Sequence, residues 1–237
     1  MPNKYSDWLV VKSKPKSHVS EAYRTLRTNI EFSNLDKPLN TIMVTSAVPQ
    51  EGKTTNTVNL ALTIAESGKK VIIVDVDLRV PTIHKVFNSD SKPGLTNVLV
   101  YNKKLSEVIK KADEINSNLY YITSGPIPPN PSELLGSEKM KVVIEELKER
   151  ADTLIFDSAP VIGFADSLVL ANQVDGVVLI LNAGMVTRDA AKQAKALLEK
   201  AKAKILGVVL NNVDIKREGY YHYYHYYNYS KYYNTEE

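Results

Sequence analysis

Residues 41–67 run from a short apolar stretch, TIMVTSA, through a glycine–lysine turn, AVPQEGKTT, into a segment of helical character that stops at Gly68. The next run, KKVIIVDVD at 69–77, is almost continuously apolar, as a strand covered on both faces must be. Apolar strands and helical segments keep alternating. LYYIT (119–123), TLIFD (153–157), GVVLIL (176–181) and KILGVVLNN (204–212) read as strands. Helices are expected from about Glu138 to Arg150, from Asp166, and from Thr187 to Lys202. The expectation is an α/β fold with a mostly parallel central sheet and helices on both faces.

Composition narrows the class. At 237 residues with 43% hydrophobic content the chain can bury one large core, and we expect a single domain over residues 18–215. The formal charge of +3 is small and its positive residues are dispersed, so no nucleic-acid footprint is expected. With no cysteine there is neither a disulfide framework nor a thiolate metal site. MPNKYSDWLVVKSKPKS lacks the apolar stretch of a signal peptide, and no apolar run approaches a membrane span. A soluble chain is expected, one that reaches a membrane only through a partner.

Residues 1–17, polar and Lys-rich, read as a flexible or loosely docked arm. Order is expected from Ser20, which can cap a helix through EAYRTLRTNIEF with Ala22, Leu26 and Ile30 on one face. Glu21, Arg24 and Arg27, three apart, make a charged band beside that face.

The glycine–lysine turn is a phosphate-binding loop of the P-loop NTPase kind. The backbone N–H groups of Pro49 to Thr55 (Gln50, Glu51, Gly52, Lys53, Thr54 among them, proline itself lacking one) would wrap the phosphates of ATP. Lys53 would bridge the β- and γ-phosphates, and the Thr54 hydroxyl would ligate Mg²⁺. Two loop positions depart from the general pattern. Ala47 replaces its first glycine, and Gln50 stands where another is common, so the tight turn is expected to be either strained or differently shaped at position 50.

Carboxylates close two of the apolar strands, the end at which open α/β sheets bind ligands. Asp75 and Asp77, two apart, are expected to project the same way, and Asp157 in LIFDSAP has the placement that holds Mg²⁺ through water. Asn211 and Asn212 end the last strand and could either meet an adenine or simply turn the chain. GPIPPNP at 125–131 reads as a rigid loop beside the site. His222 and His225 lack the acidic partners of a metal centre.

The last eighteen residues, 220–237, hold nine of the fourteen tyrosines: Tyr220, Tyr221, Tyr223, Tyr224, Tyr226, Tyr227, Tyr229, Tyr232 and Tyr233. No aliphatic residue lies among them, and neither a strand nor an amphipathic helix is spaced that way. Residues 216–237 are therefore set apart as a tail carrying hydroxyl acceptors.

EAYRTLR (21–27), PQEGKTT (49–55), IIVDVDLRVPTIHKVF (72–87), SGPIPPNPSELL (124–135), LIFDSAP (154–160) and the tyrosine cluster together resemble the bacterial tyrosine kinases of capsular and exopolysaccharide synthesis, in their stand-alone cytoplasmic form. The resemblance implies that Lys53 stabilises the transferred phosphoryl group and that Thr54, Asp77 and Asp157 hold Mg²⁺. It implies that Asp75 orients the incoming tyrosine and accepts its proton. It makes Glu21, Arg24 and Arg27 a subunit contact of a ring and the tail tyrosines phosphoacceptors in trans. It further implies a transmembrane adaptor of the polysaccharide co-polymerase type at the inner face of the plasma membrane, a cognate tyrosine phosphatase, and other protein substrates. A partition or division-site ATPase would share the sheet but usually carries an extra lysine early in the loop, where this chain reads VPQE at 48–51. A non-catalytic scaffold of the polysaccharide machinery is the other alternative.

Overall fold

The computed structural model describes residues 6–33 and 38–213. A 3₁₀ turn (Ser6–Trp8) and α1 (Val10–Ser13) lead into α2 (His18–Phe32). The motif segment follows as β1 (Thr41–Ser46), α3 (Lys53–Glu66) and β2 (Val71–Asp75). Next come α4 (Ile83–Val86), α5 (Leu95–Tyr101), a 3₁₀ turn (Leu105–Glu107), β3 (Lys110–Lys111) and β4 (Leu119–Ile122). The remainder is α6 (Pro131–Leu135), α7 (Glu138–Lys148), β5 (Thr153–Asp157), α8 (Asp166–Ala171), β6 (Gly176–Asn182), α9 (Arg188–Lys200) and β7 (Ile205–Asn211).

The strands form one sheet in the order β3-β4-β2-β5-β1-β6-β7, parallel except for the short edge strand β3. Side chains alternate between two cores, because successive residues of a strand point to opposite faces. Met43, Ile72, Val74, Leu154 and Phe156 pack under α5, α7, α8 and α9. Ile42, Val44, Ile73 and Ile155 pack under α2 and α3. Both faces of the sheet are thus covered, which is why its central strands read as unbroken apolar runs.

The structure corrects the N-terminal expectations. Order begins well before Ser20: Leu9 and Val11 are buried, and Asn59 of α3 accepts a hydrogen bond from the Val11 N–H at 3.0 Å while donating to the Trp8 carbonyl at 2.5 Å. The helix starts at His18, and its cap is Ser17, whose hydroxyl accepts from the Ser20 N–H. Ser20 is itself buried, donating to the Lys14 carbonyl at 2.7 Å. Its inner face runs through Tyr23, Leu26 and Ile30, and Ala22 is exposed. The small alanine fitted the spacing of four, but Tyr23 at spacings of three and seven buries far more apolar area.

β2 ends at Asp75 instead of Asp77, although the N–H groups of Val76 and Asp77 still reach the Asp157 carbonyl at 2.9 and 3.0 Å. Residues 78–118 gain α4, α5 and β3, which are too short for their periodicity to show. The tail, with Tyr220 to Tyr233, His222 and His225, lies outside the described residues.

Candidate active site

Strand order assembles the site. β5 lies between β1 and β2, so the loop after β1 and the carboxylates ending β2 and β5 emerge side by side. Asp75 is registered against Asp157, and Asp157 against Val44.

The phosphate loop is held from below by Glu51. Its side chain is fully buried, accepting the Val48 N–H at 2.8 Å and the Asn182 N–H at 3.0 Å. Besides the backbone it gives the loop, Glu51 fastens the loop to the end of β6 through its carboxylate. Asn211 completes the brace by donating to the Glu51 carbonyl at 2.9 Å. Gly52 has φ +90°, so the backbone demands glycine there, and a Cβ, 2.2 Å from the Asn211 Nδ2, would also push that side chain away from the Glu51 carbonyl. Asn212 is exposed, with φ 55°. Gln50 sits in the left-handed region at φ 66°, where a non-glycine residue costs roughly 1–2 kcal/mol. The strain expected at position 50 is present.

Lys53, Thr54 and Thr55 open α3, whose N-terminus points its free N–H groups into the loop. The Lys53 ammonium lies 3.9 Å from Asp77. Asp77 also accepts the Arg79 and Val80 N–H groups, at 3.3 and 3.0 Å. Thr54 donates to Asp157 at 2.7 Å, and Thr57 donates to its other oxygen at 3.2 Å. Thr57 was not singled out from sequence; its place one turn after Thr54 is the signal that would have found it.

Asp75 is fully buried. One oxygen accepts the Thr82 and Ile83 N–H groups, both at 3.1 Å, and the other has no partner. Burial pushes its carboxyl well above the usual range, and the charges of Asp157 and Asp77 add to the shift. Asp157 is pushed up to about 6, chiefly by burial, with Lys53 and Thr54 opposing.

These residues fit a magnesium–nucleotide. Among the described residues no three acidic or histidine side chains form a chelating group. Mg²⁺, however, keeps several waters and needs few direct protein ligands beside phosphate oxygens. The Thr54 hydroxyl and the carboxylates of Asp77 and Asp157 make such a donor set.

Two consequences of pH follow. A carboxyl raised from 3.8 to about 6 in the fold stabilises the nucleotide-free chain below about pH 4 and loses that contribution as pH rises through 6. Asp157→Asn is therefore expected to melt above the parent at pH 7, by an amount on the order of 3 kcal/mol, with the difference vanishing towards pH 4. Binding of Mg²⁺-nucleotide should weaken by up to about tenfold per unit below pH 6, because the charged carboxylate is the one that serves the cation. Titration calorimetry between pH 5 and 7.5 checks this; a flat profile would contradict it.

Beyond the carboxylates, Arg79 clasps Asp166 through its Nε at 2.6 Å and its Nη2 at 3.1 Å. Ser132, opening α6, donates to the same carboxylate. The pair ties the segment after β2 to α8, and Ser132 joins α6 to it, with the Arg79 guanidinium 4.7 Å from the Phe164 ring centroid. On α2, Arg24 pairs with Glu21 and donates to the Pro15 carbonyl at 2.9 Å. Arg27 donates to the Thr63 carbonyl at 2.9 Å, and its Nε is buried without a partner. The structure thus brings Lys53, Thr54, Asp75, Asp77 and Asp157 together and places the Glu21-Arg24-Arg27 band elsewhere, on α2.

Comparison with known proteins finds relatives over most of the chain. Residues 39–205 match the family model described as an AAA domain. The tyrosine-protein kinase YwqD of Bacillus subtilis (strain 168) is 41% identical over 216 residues, covering 90% of each chain. The putative tyrosine-protein kinase CapB of Staphylococcus aureus is 38% identical, covering 90% of this chain and 93% of its own. The crystal structure of the chimerical protein CapA2B2 superposes with a TM-score of 0.83 at 38% identity, over 87% of this chain and 90% of that one.

Proposed function

We propose that this chain, which belongs to the bacterial tyrosine kinases, transfers the γ-phosphoryl group of ATP to its own tail tyrosines in trans and thereby regulates capsular and extracellular polysaccharide synthesis and export. The observation that carries the reading is Asp75, buried beside Asp157 with one oxygen held by two N–H groups and the other unpaired. In the transfer, the bond from the γ-phosphorus to the ADP oxygen breaks and one to the tyrosine Oη forms, while the phenolic proton passes to Asp75. A carboxyl of raised pKa suits that role better than an ordinary one, since it narrows the gap to a phenol near 10. Lys53 offsets charge on the moving phosphoryl group. Thr54, Asp77 and Asp157 would hold Mg²⁺, which when bound neutralises phosphate charge. Backbone from Pro49 to Thr55 cradles the phosphates, and Asn212 is the candidate partner for the base.

The Glu21-Arg24-Arg27 band is assigned to a ring of subunits, with the exposed Glu21 and the half-buried Arg24 presenting opposite charges on α2. Eighteen extended residues reach roughly 60 Å, enough to enter an adjacent site. No helix among the described residues is long and apolar enough to cross a membrane. We assign the chain to the cytoplasm, recruited by a transmembrane adaptor and reversed by a tyrosine phosphatase.

Incubation with ATP-Mg²⁺, with and without a candidate activator, followed by mass spectrometry tests the reading. Phosphate on residues 220–233 is the expected result. Free phosphate alone would instead indicate an ATPase, and neither product a scaffold. Each phosphate adds about −1.5 to −2 charges, so modified tails repel and the ring should dissociate. Light scattering before and after the reaction should show the mass fall; a constant mass would refute that step.

A further inference from the structure

A cavity of about 770 Å³ opens beside α4, lined by His84, Lys85, Ser89, Asp90, Lys92 and Lys110 among others. Three ammonium groups there face one carboxylate, so the cavity is net positive. Two of its polar atoms, Nδ1 of His84 and Oγ of Ser89, are buried and have no partner. Each such orphan costs about 1–3 kcal/mol until something pairs with it. Lys110 reaches only neutral oxygens, the Asp90 carbonyl at 2.5 Å and the Thr123 hydroxyl at 3.3 Å. Burial lowers its pKa, so an anion here would relieve a cost already present.

The missing partner can be specified. It needs several acceptor oxygens and more than one negative charge, which a phosphate monoester supplies and a single carboxylate does not. The volume lies within the range of small-molecule sites, large enough for an aryl phosphate. Position narrows the source. The N–H groups of Thr82 and Ile83 hold Asp75, and His84 is the next residue, its Cα no more than about 7 Å from that of Thr82 along the chain. The cavity wall thus continues directly from the segment that holds Asp75. In the tail, tyrosine pairs recur every three residues at 220, 223 and 226, a step of roughly 10 Å when extended.

We propose that this cavity binds a phosphotyrosine of an already modified tail, holding the next tyrosine pair at Asp75 so that successive transfers follow one docking event. The product of the first transfer becomes the handle for the second. The inference rests on the tail-kinase reading above.

The test is fluorescence anisotropy with a labelled peptide of residues 218–233 carrying one phosphotyrosine, its unmodified counterpart, and the phosphatase-treated full-length chain. At least tenfold tighter binding of the phosphopeptide is expected. Lys92→Glu, an exposed change that does not threaten folding, and Lys110→Gln should each reduce that preference at least threefold. Both should shift early products from multiply to singly phosphorylated tails. Equal affinity for the two peptides, or a preference indifferent to both substitutions, would overturn the proposal. So would loss of binding to vesicles containing phosphatidylserine with peptide discrimination unchanged, which would assign the cavity to a membrane surface. Because the peptide is phosphorylated beforehand, the binding result is readable even if the chain left its own tail unmodified, an outcome that would count against the proposed function.

Discussion

Asp75→Asn is expected to bind ATP-Mg²⁺ within about threefold of the parent and to lose tyrosine phosphorylation by two to four orders of magnitude, the range for removal of a general base. The substitution keeps the fold because the carboxamide oxygen can still accept the Thr82 and Ile83 N–H groups, which orients the NH₂ towards the unpaired position. What it removes is the ability to take a proton there. It also removes a carboxyl that burial and two neighbouring charges make costly to ionise, so the variant should melt higher at pH 7. Stability gained and activity lost, with nucleotide affinity retained, is the signature of a functional charge as opposed to a structural one. Phosphate incorporation by mass spectrometry, calorimetric ATP titration and thermal melts read the three quantities. Undiminished transfer would remove Asp75 from the mechanism.

Glu51→Ala should act the other way. Two backbone N–H groups, from Val48 and Asn182, would lose their acceptor inside the protein, and the loop would lose its tie to β6. Unsatisfied buried donors cost about 1–3 kcal/mol each, so destabilisation of roughly 2–5 kcal/mol is expected. Nucleotide affinity should fall at least a hundredfold, since the cradle depends on where those N–H groups point. Glu51→Gln retains one good acceptor and should recover part of both losses. Thermal melts and binding of a fluorescent ATP analogue separate the effects; an alanine variant with normal melting and affinity would show that the brace is dispensable.

Chemistry was legible in the chain wherever a residue type is tied to a local backbone shape. The glycine–lysine turn between an apolar strand and a helix located Lys53 and Thr54, and strand-ending carboxylates located Asp75, Asp77 and Asp157. Gln50 was legible as a strained position for the same reason, as its φ of 66° bears out. Less local features were not. Ser17 and Ser20 are both plausible caps, and only the docking of α1 against Asn59, which buries Ser20 and extends the helix to His18, selects Ser17. Tyr23 displaced Ala22 from the inner face because the space beside α3 accepts a ring. The two-sided role of Glu51 was hidden since its second partner, Asn182, is 131 residues away.

The α/β class, the phosphate loop and the set of acidic candidates followed from local patterning, which depends on neighbours a few residues apart. Tertiary structure decided that β5 inserts between β1 and β2, which alone makes Asp157 a neighbour of both Thr54 and Asp75. It also decided which carboxylates share one buried environment, and hence their raised pKa values. Periodicity records which face of an element is buried but carries no term for which elements lie side by side; strand order, register and the electrostatics that depend on them arise only when distant segments pack.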